Sequence, residues 1–321
     1  MRILVTGGAG FIGSHLCERL IGDGHRVTVI DNFSTGQVSN LSNLKKVNEF
    51  KFVEGSILDT QILTTLVNDA DYIFHLAAAV GVFNIVNNPL ASLLTNIRGT
   101  ENVLEAALAT NTPVFLTSSS EVYGKNISNS LKESDDRILG SPVTLRWSYS
   151  EAKAIDESLA YAYFMEKQLE TRIVRFFNTV GPRQLGAYGM VVPRFVKSAL
   201  ANEPITVYGD GNQTRCFAHV YDVIDAVISI AFAANTVGKV INIGNDFEIS
   251  INGLAQKVIA ETGSTSEIVY VPYEEAYGDG FEDMERRVPN IDLINKLVGW
   301  KPNRDLTTII ADISAEMKKS S

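Results

Sequence analysis

Through about residue 180, short apolar runs alternate with segments of helical length. Runs rich in Val, Ile and Phe at 2–6, 26–30, 50–53, 71–75, 113–118 and 171–176 read as strands. The stretches 11–22, 60–68, 89–110 and 147–168 read as helices. Strand-helix-strand alternation predicts an α/β fold: a Rossmann-type, doubly wound parallel sheet with helices on both faces. After Gly181-Pro182 the rhythm changes and loops lengthen, although Val240-Ile241-Asn242-Ile243-Gly244 is strand-like and is expected to return to the sheet. The organisation expected is a main domain over 1–180, partly rejoined by 206–249, and a smaller C-terminal lobe from 181–205 and 250–321.

Composition narrows the function classes. A formal charge of −9 over 321 residues, with no basic block, argues against general affinity for nucleic acid. It leaves room for an anionic small ligand, because a few arginines can dominate one pocket. The two cysteines, Cys17 and Cys216, form no C-x-x-C pair, which fits a reducing compartment. His15, His25, His75 and His219 lack metal-ligand spacing, so no metal site is expected. No signal peptide is expected before the first strand, and no run of 18 apolar residues occurs; Val220 to Ala234 carries Asp222 and Asp225 and reads as a core helix. The expected location is cytoplasmic, with no membrane partner.

Candidate chemistry begins after the first strand. Gly7, Gly10 and Gly13 give G-x-x-G-x-x-G, with Phe11 and Ile12 opening the helix that follows. Such glycines allow a tight turn, a close backbone approach to pyrophosphate, and packing of helix on strand. The helix N-terminus supplies unpaired N–H groups to phosphate. Glycine spacing alone is weak, but the second strand ends in Asp31, where a carboxylate can accept from adenosine ribose hydroxyls. The same charge repels a 2′-phosphate, so NAD is favoured over NADP.

Tyr149 and Lys153 lie one turn apart on a predicted helix and share a face. A phenol with pKa near 10 is a poor base at neutral pH, and a nearby ammonium favours the phenolate. A lone Y-x-x-x-K is common by chance. Here it follows Thr117-Ser118-Ser119-Ser120-Glu121-Val122-Tyr123-Gly124, at the carboxyl edge where α/β sheets bind ligands. Tyr149 is the candidate base, with one of the three serine hydroxyls sharing the proton it accepts.

Assembled, these residues resemble the NAD-dependent epimerase/dehydratase family, the nucleotide-sugar branch of the extended short-chain dehydrogenases. The resemblance runs through GGAGFIG (7–13), DNFSTG (31–36), HLAA (75–78), TSSSEVYG (117–124), YSEAK (149–153), RFFNTVGPRQ (175–184), VYGDGNQTR (207–215) and RRVPNI (286–291). It implies that Asp31 and Asn32 hold the adenosine ribose, that Ser34, Thr35 and Gly36 close around it, and that Ile57 lies near adenine. Leu76, Ala77 and Ala78 are implied to line the cofactor cleft. The family often has an aspartate where this chain has Ser56, which removes one expected adenine contact. Asn178 and Arg215 resemble residues that hold the sugar diphosphate, Tyr208 a nucleobase neighbour, and Arg287 a diphosphate or sugar-acid contact. The smaller lobe is implied to bind the nucleotide sugar. Family members pair through helices corresponding to 89–110 and 147–168, so a homodimer with a four-helix interface is expected.

Members share oxidation at sugar carbon 4, and the fate of the 4-keto intermediate separates them. The 4,6-dehydratases carry T-D-E where this chain has Ser119-Ser120-Glu121, and serine is a much weaker acid than aspartate. UDP-glucuronate decarboxylases carry T-S-E there, close to S-S-E, so decarboxylation of UDP-glucuronate to UDP-xylose is the leading expectation. The alternative is a 4-epimerase acting on UDP-glucuronate or UDP-glucose, which the segment Gly189-Met190-Val191-Val192-Pro193-Arg194-Phe195 resembles more closely. Retention of Tyr149, Lys153 and Ser119 weighs against a third class, a non-catalytic NAD and nucleotide binder.

Overall fold

Side-chain alternation on the first strand sets up two cores. On β1 (Arg2–Thr6), Ile3 and Val5 join the core on one face and Leu4 the core on the other, and all three are buried. In the computed structural model, which describes residues 1–81, 88–186, 190–272, 275, 284 and 286–320, β1 belongs to a seven-stranded sheet. Its other strands are β2 (Arg26–Asp31), β3 (Phe50–Glu54), β4 (Tyr72–His75), β5 (Val114–Ser119), β6 (Thr171–Phe176) and the later strand Val240–Ile243. Every pairing in it is parallel.

Helix α1 (Phe11–Gly22) and the helix Val220–Ala231 cover the Ile3 and Val5 face through Leu16, Leu20, Val223 and Val227. Helices α2 (Thr60–Asn68), α3 (Pro89–Thr110) and α4 (Ser148–Lys167) cover the Leu4 face through Leu63, Leu104 and Ala160. With strands buried on both faces, near-continuous apolar runs replace alternation, which is why they stood out in the sequence. Helices α3 and α4 end at Asn111 and Gln168, both left-handed with φ of 53° and 59°. The predicted run at 113 starts one residue later as a strand, since Pro113 has no N–H to donate.

A second core lies beyond β7 (Thr179–Val180). Helix α5 (Val191–Leu200), α6 (the Val220–Ala231 helix above), α7 (Ile251–Thr262), α8 (Asp292–Val298) and α9 (Leu306–Ser320) follow in chain order. Phe195 of α5, Leu254 of α7 and Ile309 and Ile310 of α9 form this core with Ile205 and Val207 of β8 (Ile205–Tyr208). Strand β9 (Thr214–Cys216) pairs with β12 (Glu248–Ser250) and β14 (Arg286–Arg287); β10 (Ala218–His219) pairs with β7, and β8 with β13 (Ile268–Val271). Residues 206–249 are therefore shared: β11 (Val240–Ile243) joins the main sheet and α6 packs on its face, while β8 and β9 pair outside it. Cys17 and Cys216 are both buried and unpaired.

Candidate active site

Sheet order places the site. Strand β1 lies between β2 and β4, so the chain leaving β1 and β4 opens a crevice at their carboxyl ends. Gly7 begins the turn there with φ +74°, and a Cβ on it would lie 2.7 Å from the backbone nitrogen of Ala77. At Gly13 a Cβ would lie 2.3 Å from the Gly7 carbonyl oxygen, so α1 sits too close for any side chain. At Gly10 it would meet only that oxygen, at 3.2 Å, leaving this backbone otherwise open. The first turn of α1 carries no acidic residue, which keeps its N-terminus receptive to an anion.

Asp31 ends β2 and fixes the neighbouring loops by accepting from Ala9 N at 2.9 Å and Phe33 N at 2.8 Å. Burial pushes its carboxyl above the usual value, and the two amides oppose that. Gly7, Gly10, Phe11, Ile12, Gly13, Asp31, Asn32, Ser34, Thr35, Ile57, Leu76, Ala77 and Ala78 line a single cavity of about 530 Å³, within the roughly 300–1,000 Å³ of ligand sites. Gly36 stands behind this wall, where a Cβ would meet the Ala9 carbonyl carbon at 2.9 Å. Ser56, in place of the expected aspartate, accepts from Leu58 N at 3.2 Å and so shapes its own turn. A cleft that glycine backbone floors and a buried carboxylate closes fits a dinucleotide.

The same cavity reaches the chemical residues. Ser119 ends β5 and accepts from Glu121 N at 3.2 Å, starting the 3₁₀ turn Ser120–Tyr123. Tyr149 is on the first turn of α4, hydrogen-bonded to Ser119. Burial holds the Tyr149 phenol above its usual value; the charges of Glu121 and Asp156 add to this, and the Ser119 hydrogen bond opposes it. The Lys153 ammonium donates to Asp156 Oδ2 at 3.1 Å. A residue one turn further along the same helix captures it, which the Y-x-x-x-K pattern alone does not reveal.

Glu121 lies between two arginines: Arg146 Nη1 donates to Oε2 at 2.7 Å and Arg287 Nη1 to Oε1 at 2.9 Å. Burial pushes the Glu121 carboxyl up, but the charges of Arg287 and then Arg146 outweigh it and hold the group far below the ordinary carboxylate range. Arg287 also donates to Ser120 Oγ at 3.3 Å. Because β14 runs beside β9, Arg287 and Arg215 are register partners, so the small sheet sets two arginines side by side at the cavity. Arg287 thus stands at the Tyr149 end of the cavity. Asn178 donates to the Cys216 carbonyl at 2.9 Å, and the Arg194 guanidinium lies 4.2 Å over the Tyr208 ring; both Asn178 and Tyr208 line the cavity.

Arg146 and Asp156 were not singled out in the sequence. Arg146 precedes Tyr149 by one turn, but nothing in Leu145-Arg146-Trp147 marks it until Glu121 is seen beside it. Met190, Val191 and Val192 line the cavity, while Gly189 of that segment lies outside the described residues. Among the described residues no group of His, Cys, Asp and Glu could hold a metal ion, and no helix is long and apolar enough to cross a membrane.

Comparison with known proteins agrees with this geometry. A model of the NAD dependent epimerase/dehydratase family matches residues 3–244. A UDP-N-acetyl-alpha-D-glucosaminuronate decarboxylase of Bacillus cytotoxicus is 42% identical over 94% of this chain and 93% of its own length. UDP-glucuronic acid decarboxylase 1 of Xenopus tropicalis is 36% identical over 94% of this chain and 68% of its own. Among solved structures, a UDP-glucuronic acid 4-epimerase from Bacillus cereus, in complex with UDP-glucuronic acid and NAD, superposes with a TM-score of 0.90 at 28% identity, each chain covered in full.

Proposed function

Because the chain belongs to the NAD dependent epimerase/dehydratase family, we propose that it decarboxylates a UDP-linked glycuronate through a 4-keto sugar, with UDP-glucuronate to UDP-xylose as the leading case. The observation that carries this reading is Glu121, half-buried and clamped between Arg146 and Arg287 beside Ser120, at the end of the cavity that holds Tyr149. Two guanidiniums against one carboxylate leave a net positive charge there, suited to a sugar acid. The relatives support it: two are named for decarboxylation of a UDP-linked sugar acid, at higher identity than the epimerase structure.

Gly7, Gly10, Gly13 and Asp31 would hold NAD, which would supply reversible hydride acceptance at sugar carbon 4. Tyr149 accepts the proton of the carbon 4 hydroxyl, and Ser119 shares it. The resulting β-keto acid breaks its bond to the carboxyl carbon, carbon dioxide leaves, and the electron pair remains as an enolate. Glu121 stays a carboxylate, so it is not the acid that protonates carbon 5. Its role is to orient Arg287, Ser120 and the water that delivers that proton. Tyr149 finally returns its proton to the carbon 4 oxygen. Arg215 and Asn178 hold the sugar diphosphate, and Tyr208 lies beside the nucleobase.

The test is to incubate the protein with NAD⁺ and UDP-glucuronate, and separately with its 2-acetamido counterpart, and weigh the products. Loss of carbon dioxide from either acid supports the reading and identifies the group at carbon 2. An unchanged mass with a new chromatographic peak means 4-epimerisation and overturns it.

We assign the active form as a homodimer formed through α3 and α4. Leu90 on α3 and Ile155, Tyr161 and Met165 on α4 are exposed and apolar, Leu90 at 68% and Met165 at 60%. A monomer in sedimentation at micromolar concentration would contradict this. We place the enzyme in the cytoplasm, where two unpaired cysteines stay reduced.

A further inference from the structure

Lys153 Nζ and Asp156 Oδ2 are 3.1 Å apart, with side-chain exposures of 3% and 0%. A carboxylate buried this completely is costly unless its partner is fixed, and breaking such a pair strands a charge. Its surroundings are otherwise nearly neutral. From β4, His75 faces the pair; burial, and then the Lys153 charge, lower it to about 3, so it is uncharged at neutral pH. Its Nδ1 pairs with Thr6 Oγ1 at 2.7 Å and its Nε2 with Thr100 Oγ1 of α3 at 3.1 Å. Glu157, next on α4, is engaged by Arg175 Nη2 at 2.7 Å and by Ser118. Among the described residues two carboxylates act on Tyr149: Asp156, and Glu121, which Arg146 and Arg287 hold. Of the two, Asp156 is the one whose charge is set directly against the Lys153 ammonium.

We propose that Asp156 is a positioning residue for the reaction: it anchors the Lys153 ammonium on the floor of the cavity and offsets part of its charge, so that a lysine–aspartate pair sets the pH at which Tyr149 takes its proton. This rests on the reading of Tyr149 as the acid/base group. The sign follows from charge. Removing the Asp156 carboxylate leaves the ammonium unopposed, favours the phenolate, and moves the acid limb of kcat to lower pH.

The experiment compares the pH profiles of kcat and KM for the NAD-loaded wild type, Asp156→Asn and Asp156→Glu, together with the NAD content of each purified protein. Asp156→Asn is expected to move the acid limb of kcat down by at least about one pH unit, the usual scale for losing a neighbouring charge. KM and bound NAD should change little. Asp156→Glu, which keeps the charge, is expected to restore the wild-type limb. A limb that stays in place while kcat falls equally at every pH makes Asp156 merely structural and overturns the proposal, as does a shift to higher pH. If Asp156→Asn does not fold, Asp156→Ser, with room for a water beside Lys153, is read by the same criteria. Tyr149→Phe, measured alongside, separates the two claims. Near-normal turnover there removes the reading itself, whereas an inactive Tyr149→Phe with an unmoved Asp156→Asn limb removes only this inference.

Discussion

The two ends of the cavity are built in opposite ways. At the dinucleotide end the walls are backbone: Gly7 and Gly13 exclude side chains, Gly10 leaves its backbone open, and Asp31 is tied to two amides of adjoining loops. At the sugar end the walls are charged side chains from segments far apart in the chain. Glu121 meets Arg146 across 25 positions and Arg287 across 166. The first end needs only a turn and a helix start to form, so it is rigid and generic. The second exists only when both lobes are folded together, and it is where a reaction can be specified.

This contrast predicts how each end fails. Tyr149→Phe should separate them most sharply, with NAD still bound and turnover reduced at least about a hundredfold, the scale of losing a general acid/base group. Steady-state rates and the NAD content of the purified protein check it, and near-normal rates would remove Tyr149 from the mechanism. Gly13→Ala should do the reverse. Its new methyl meets the Gly7 carbonyl oxygen at 2.3 Å, so stability should fall by about 1–3 kcal/mol and NAD should be lost. Chemical denaturation and NAD titration measure both effects, and retained NAD would show that the cradle is less rigid than described.

Glu121→Gln should leave binding intact and slow the step after oxidation by roughly tenfold, a loss of charge-assisted hydrogen bonds to two arginines. A keto sugar should then accumulate, detectable by borohydride trapping, and an unchanged product distribution would refute the role. The same variant has a pH signature. Glu121 is held far below the ordinary carboxylate range, so its contribution to stability is present above the unfolded value of about 4.3 and is lost as pH falls toward the folded one. The stability gap between wild type and variant should therefore be full at neutral pH and shrink in acid. The smallest effect is expected for Asp31→Asn, which removes the charge that repels a 2′-phosphate. The preference for NAD over NADP should narrow by a few tenths to about 1 kcal/mol, read from paired Kd values.

The same contrast explains what was legible in the sequence. Elements at 11–22, 60–68 and 89–110 appear where apolar periodicity placed them, and the sheet strands fall within a residue or so of the predicted runs. The glycine turn and Asp31 were also readable, because their geometry is set by near neighbours. The state of Lys153 was not. Its spacing from Tyr149 was plain, but its partner Asp156 had no motif to flag it. Arg146 was invisible for a related reason, since an isolated arginine acquires meaning only from the carboxylate folded against it. Arg287 was found through its motif, but its seat beside Glu121 required the pairing of β14 with β9.

The central claim is that the keto sugar loses its carboxylate at the Glu121 end. It is tested most directly by running the reaction with UDP-glucuronate in deuterium oxide and weighing and locating the label in the product. The account predicts a nucleotide sugar lighter by carbon dioxide, with one solvent deuterium at carbon 5 and none at carbon 4. A product of unchanged mass with no deuterium on the ring would contradict it, and the enzyme would be a 4-epimerase.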